Sequence, residues 1–192
     1  MNKLWLAVGG LLVIALLSAS GCSKGAVDPK YNFITLHHHA DVSNGALNAS
    51  TVSTQDGYVK VGDTRADIEA VVGATYSLNT GLWCTYEKSA DGNSGNDILI
   101  SVMTDQSSKT TMYGTSIDSN YTDLVPAYAK DPNVKVALDT KTKVIFSSVI
   151  DGVNYTVTYR NYPNSGDVKT ITITNTARYT ESDTDFPQYA SN

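Results

Sequence analysis

Between residues 153 and 174 the chain alternates apolar and polar side chains with a period of two, and no other stretch restricts the fold as tightly. Val153, Tyr155, Val157 and Tyr159 alternate with Asn154, Thr156, Thr158 and Arg160, and Ile171 and Ile173 alternate with Thr170, Thr172 and Thr174. Successive side chains of a strand point to opposite faces, so each run carries one apolar face and one hydroxyl-rich face. Joined by the turn-rich residues 161–166, the two runs read as an antiparallel hairpin, apolar face on a core and hydroxyl face in solvent. The wealth of Thr and the 12 tyrosines give the whole chain the bias of a β-rich protein.

Upstream, the pattern changes once to a helix. In Asp63-Thr64-Arg65-Ala66-Asp67 a side-chain N-cap is followed three residues later by an acid. Ile68, Val71 and Val72 then recur at helical spacing, and Gly73 supplies the stop. Strand-like stretches follow at Leu82 to Lys88, Asp97 to Thr104 and Lys109 to Ile117, and a poorer helix candidate containing Pro126 lies at Tyr121 to Lys130. The expected class is therefore α+β, with a short helix or helices packed on an antiparallel sheet. A gapless shift of 71 places pairs Gly81 with Gly152, Thr85 with Thr156, Ile100 with Ile171 and Val102 with Ile173. That is either an internal duplication, giving two diverged tandem modules, or two hairpins that meet the same turn chemistry.

The N-terminus reads as an address. Lys3 precedes an apolar run from Leu4 to Leu17, too short for a comfortable bilayer span, and small residues follow. The ending Leu17-Ser18-Ala19-Ser20-Gly21-Cys22 resembles the lipobox of bacterial lipoproteins, which implies lipidation of Cys22 after removal of residues 1–21. Residues 22–56 show neither strand nor helix period and read as a flexible tether, spanning about 30 Å as a coil. The expected location is extracytoplasmic and membrane-anchored through Cys22: the outer membrane if there are two membranes, the cell surface otherwise. All three histidines fall in this stretch, as His37, His38 and His39, with Asp41 nearby. Imidazoles suit zinc, copper or nickel. Adjacent residues of an extended chain point opposite ways, however, so the tract needs a further fixed ligand and is a weak metal candidate. With Cys22 lipidated, Cys84 has no disulfide partner, and alternation places it beside Leu82 and Tyr86 as a small buried hydrophobe.

Val61-Gly62-Asp63-Thr64, Ile68, Val72-Gly73, Trp83 and Tyr86 resemble the Gly-x-Thr, hydrophobic, Leu-Gly, Trp-x-x-Tyr pattern of the SmpA/OmlA (BamE-like) envelope lipoproteins. The β-lactamase inhibitory proteins have a related fold. The resemblance covers about 60 residues and implies a non-enzymatic adaptor, with no catalytic residues to transfer. On that reading residues 57–118 form the BamE-like module, residues 119–180 a second β-rich module and residues 181–192 a polar tail.

Charge and missing motifs narrow the function. Fourteen basic residues against 19 acidic ones give −5, and loss of Lys3 with residues 1–21 makes it −6, which disfavours a nucleic-acid partner. The histidines lie away from any Ser or Cys nucleophile pattern, and there is no phosphate loop or zinc-protease motif. The chain is thus read as a lipid-anchored binding protein, not an enzyme and without a cofactor, that holds an unknown envelope protein at the membrane surface. Trp83 is the first partner-surface candidate, because alternation sets it opposite Leu82, Cys84 and Tyr86; packing under the helix or a loop is the alternative. A second reading is an inhibitor of an extracellular enzyme, with Tyr113 and residues 161–166 as probing elements. The third is metal capture by His37–His39.

Overall fold

The computed structural model describes residues 27–39, 56–73, 81–161 and 167–180. Cys22, the leader, Asp41, most of the turn at 161–166 and the tail at 181–192 lie outside the described residues. The class is α+β: short helices with two antiparallel sheets. A three-stranded sheet sets β1 (Thr35–His38) between β2 (Gly57–Lys60) and β5 (Lys109–Thr111). A six-stranded sheet runs in the order β3 (Leu82–Glu87), β4 (Ile98–Thr104), β9 (Thr170–Asn175), β8 (Val153–Arg160), β7 (Lys143–Ile150) and β6 (Lys135–Asp139).

Helix α1 (Arg65–Val72) forms for local reasons. Thr64 Oγ1 accepts from the Asp67 N–H at 3.2 Å while the Asp67 carboxylate accepts from the Thr64 N–H at 3.3 Å, so two orphan donors of the first turn are satisfied reciprocally. Gly73, at φ 89°, ends it. Ile68, Val71 and Val72 are buried, and Val71 lies so close to Gly57 that a Cβ there would approach it to 3.0 Å. The chain between β2 and α1 ties the two sheets together. Gly62 donates to the Leu99 carbonyl, Leu99 to that of Asp63 and Arg65 to that of Asp97, a short ladder onto the start of β4.

The expected tether does not hold for residues 29–38. Pro29–Ile34 form a 3-10 turn whose N-cap Asp28 accepts from the Lys30 N–H, and β1 follows directly. Phe33, Ile34 and Leu36 are buried in the same core as α1 and the six-stranded sheet. The turn is fastened from outside as well, since Lys30 and Tyr31 both reach Asp151 between β7 and β8, each at 3.1 Å.

Nor are 57–118 and 119–180 separate units, because β4 pairs with β9 in the middle of the six-stranded sheet. Val102 lies opposite Ile173, the two positions that the shift of 71 equates. The hairpins are not copies in register, however. The shift that carries Thr85 to Thr156 carries its partner Ser101 to Thr172, whereas Thr156 lies opposite Thr174. Helix α2 (Leu124–Tyr128) confirms the poorer helix candidate as a short one, with Leu124 and Tyr128 buried. The hydroxyl face expected in solvent is largely covered: Thr158, Thr172 and Thr174 are 2–4 % exposed. They sit on central strands, flanked by neighbours on both sides, and Ser101 Oγ lies 2.9 Å from Thr174 Oγ1.

Candidate functional site

Strand geometry divides the histidine tract. His38 is 4 % exposed, pairs with Gly57 and Lys109, and belongs to the buried side of β1, which removes it from any shared metal set with its neighbours. His37 and His39 share the other face, their ring centroids 4.0 Å apart. Asp56, one residue before β2, completes the group: one carboxylate oxygen lies 3.0 Å from His37 Nε2 and the other 3.7 Å from His39 Nδ1. The β1–β2 register explains this, since continuing it by one place sets Asp56 opposite His39. Two further residues hold the rings: Tyr58 stacks on His37 at 4.8 Å, and Thr110 Oγ1 lies 3.0 Å from His39 Nε2. Among the described residues this is the group of three whose ligand atoms, all within 4.8 Å of one another, could hold a metal ion.

The second surface feature is the outer edge of β6. Among the described residues it is the last strand of its sheet, with β7 on one side, and all five of its residues are exposed. Val136 and Leu138 are 49 % and 39 % exposed. They lie beside Phe146 and Ile145, neighbours of opposite direction, because the register shifts between them. An edge strand displays unpaired N–H and C=O groups, and such a shift limits which strands can pair with it. The stretch that carries it is basic in an acidic chain: residues 130–143 hold Lys130, Lys135, Lys141 and Lys143 against Asp131 and Asp139, with Lys135 on the strand and Lys141 two residues beyond it.

The other expected contact residues serve the fold in differing degrees. Trp83 is half-buried, paired with Met103 on the face away from Leu82, Cys84 and Tyr86, as alternation implies. Tyr113 is partly buried: it stacks on Tyr128 at 4.2 Å and donates its hydroxyl to Asp131 at 2.7 Å, so it has a place in the fold. That bond holds the Asp131 carboxyl below its usual range, while burial raises the Tyr113 hydroxyl. Cys84 packs against the core, and burial pushes its thiol up to about 11, far from the thiolate that reactivity needs. Asp56, Tyr58, Thr110 and the β6 edge were missed from the sequence. Period two alone joins His37 to His39, but nothing local points to Asp56, 17 residues beyond His39 in the chain. Comparison with known protein families, with characterised proteins and with solved structures gives no match for this chain.

Proposed function

We propose that this chain is a lipid-anchored binding protein of the cell envelope that holds a protein partner along the outer edge of β6. The observation that carries the reading is that all five residues of this strand are exposed, with Val136 and Leu138 presented at an edge that no other described strand covers. A partner strand would complete the backbone ladder while its side chains cover the two apolar ones. Lys135 on the strand and Lys141 just beyond it favour an extended segment bearing acidic residues between apolar ones. The lipobox-like Cys22 and the resemblance of Val61 to Tyr86 to BamE-like adaptors point the same way.

The test places a photo-crosslinking residue at Val136 of the full-length chain in living cells, with Asp91, an exposed loop residue, as the comparison position. Expected is one adduct from 136 but not from 91, mapped by mass spectrometry to an extended acidic segment. Its yield falls with Lys135→Glu plus Lys141→Glu, and again with Cys22→Ser. Equal adducts from both positions, or none from 136, would overturn the proposal.

A further inference from the structure

We infer that His37, His39 and Asp56 form a binding site for a borderline divalent cation, with zinc as the ion that fits the donors best. The reading is independent of the β6 edge. Two imidazoles and a carboxylate are the donor set of an open zinc site, in which three protein ligands leave a fourth position to water or to a group from another molecule. Without a thiolate the set does not select copper(I), and with two nitrogen donors it is poorly matched to calcium or magnesium.

The scaffold under the donors is rigid. β1 is the central strand of its sheet, paired on both sides, and the His39 N–H donates to the Ser108 carbonyl at 2.9 Å. Ligands around a tetrahedral zinc at about 2.0–2.1 Å sit roughly 3.3 Å from one another. The present donors lie within 4.8 Å of one another, and rotation of side chains that are 25 % (His37), 44 % (His39) and 60 % (Asp56) exposed would close the remaining distance.

Thr110 completes the arrangement. In the tautomer whose Nε2–H donates to Thr110 Oγ1, His39 turns the lone pair of Nδ1 toward the Asp56 oxygen 3.7 Å away. Two acceptors then face each other across a gap that a cation fills, and a hydrogen bond to the far ring nitrogen is the usual support of a metal-bound histidine.

The experiment is a calorimetric titration of the full-length chain with zinc chloride, alone and in competition with a chelator. One zinc per chain is expected, with a rise in Tm on addition. Asp56→Asn and His39→Asn should weaken binding by more than about 100-fold, and Thr110→Val by about tenfold. The urea midpoint of each variant without metal shows that it folds, and a variant that fails this check is replaced by His37→Asn. Asp56→Asn also separates a built site from a histidine tract, since it leaves all three imidazoles in place. Zinc binding unchanged in Asp56→Asn, or no saturable binding up to about 100 µM zinc, would overturn the assignment.

Discussion

Tyr159 sits fully buried on β8, and its hydroxyl is the middle of a chain of hydroxyls inside the core. It lies 2.6 Å from Tyr128 Oη and 2.7 Å from Thr115 Oγ1, and Thr115 Oγ1 lies 2.6 Å from Thr111 Oγ1. The rings pack independently of these bonds: Tyr128 stacks on Phe146 at 4.1 Å, and Tyr159 meets Phe146 edge-on at 5.9 Å. A Tyr→Phe change therefore removes an oxygen and little packing. Tyr159→Phe deletes two hydrogen bonds of about 1 kcal/mol each and leaves the buried Tyr128 hydroxyl with Thr111 alone, so about 2–3 kcal/mol is expected. Tyr128→Phe deletes one bond and leaves Tyr159 tied to Thr115, for about 1 kcal/mol. The bond between the two hydroxyls is lost in each single variant but only once in the double, so the double variant should cost about 1 kcal/mol less than the two singles added. Urea unfolding of the four proteins at neutral pH, with unchanged slope, reads these differences directly. Additivity within about 0.3 kcal/mol, or a smaller cost for Tyr159→Phe than for Tyr128→Phe, would refute the claim that the chain is stabilising.

The same tyrosines set an alkaline limit. Burial pushes Tyr159 up to about 12 and raises Tyr128 as well, while an unfolded tyrosine ionises near about 10. Above that point the unfolded chain releases protons that the folded one keeps. Stability is thus full below pH of about 10 and falls as pH rises toward 12, by about 1.4 kcal/mol per unit for each such group, and a urea midpoint that stays flat through that window would contradict it. Thr64→Ala removes one half of the reciprocal cap on α1 and should lower stability by about 1 kcal/mol in the same assay; a loss below about 0.3 kcal/mol would mean that the cap is redundant.

How far the sequence reveals the molecule depends on how far apart the interacting residues lie. The cap of Thr64 and Asp67 and the stop at Gly73 act within one helix, and the alternation from Val153 to Tyr159 acts within one strand, so each was readable in place. Residues 29–38 were not. A six-residue 3-10 turn has no 3.6 period, and a four-residue strand with Thr35, Leu36 and His38 all buried shows no alternation of polarity. The burial of the hydroxyl face is not legible in the sequence for a related reason, because the low exposure of Thr158 and Thr172 depends on their place in the sheet and not on their residue type.

By itself, the sequence determined α1, β3, β4, β8 and β9, the α+β class, and the side of β3 on which Trp83 and Cys84 fall, whereas the eight-residue β7 was not read from it. All of these follow from local sterics, capping and side-chain period. The tertiary structure alone decided that β4 and β9 pair to make one sheet of the two halves, that β1 belongs to the core, and that Asp56 stands opposite His39. Those outcomes depend on register between strands distant in the chain, where a shift of one residue would turn His37 and His39 inward and bring His38 out.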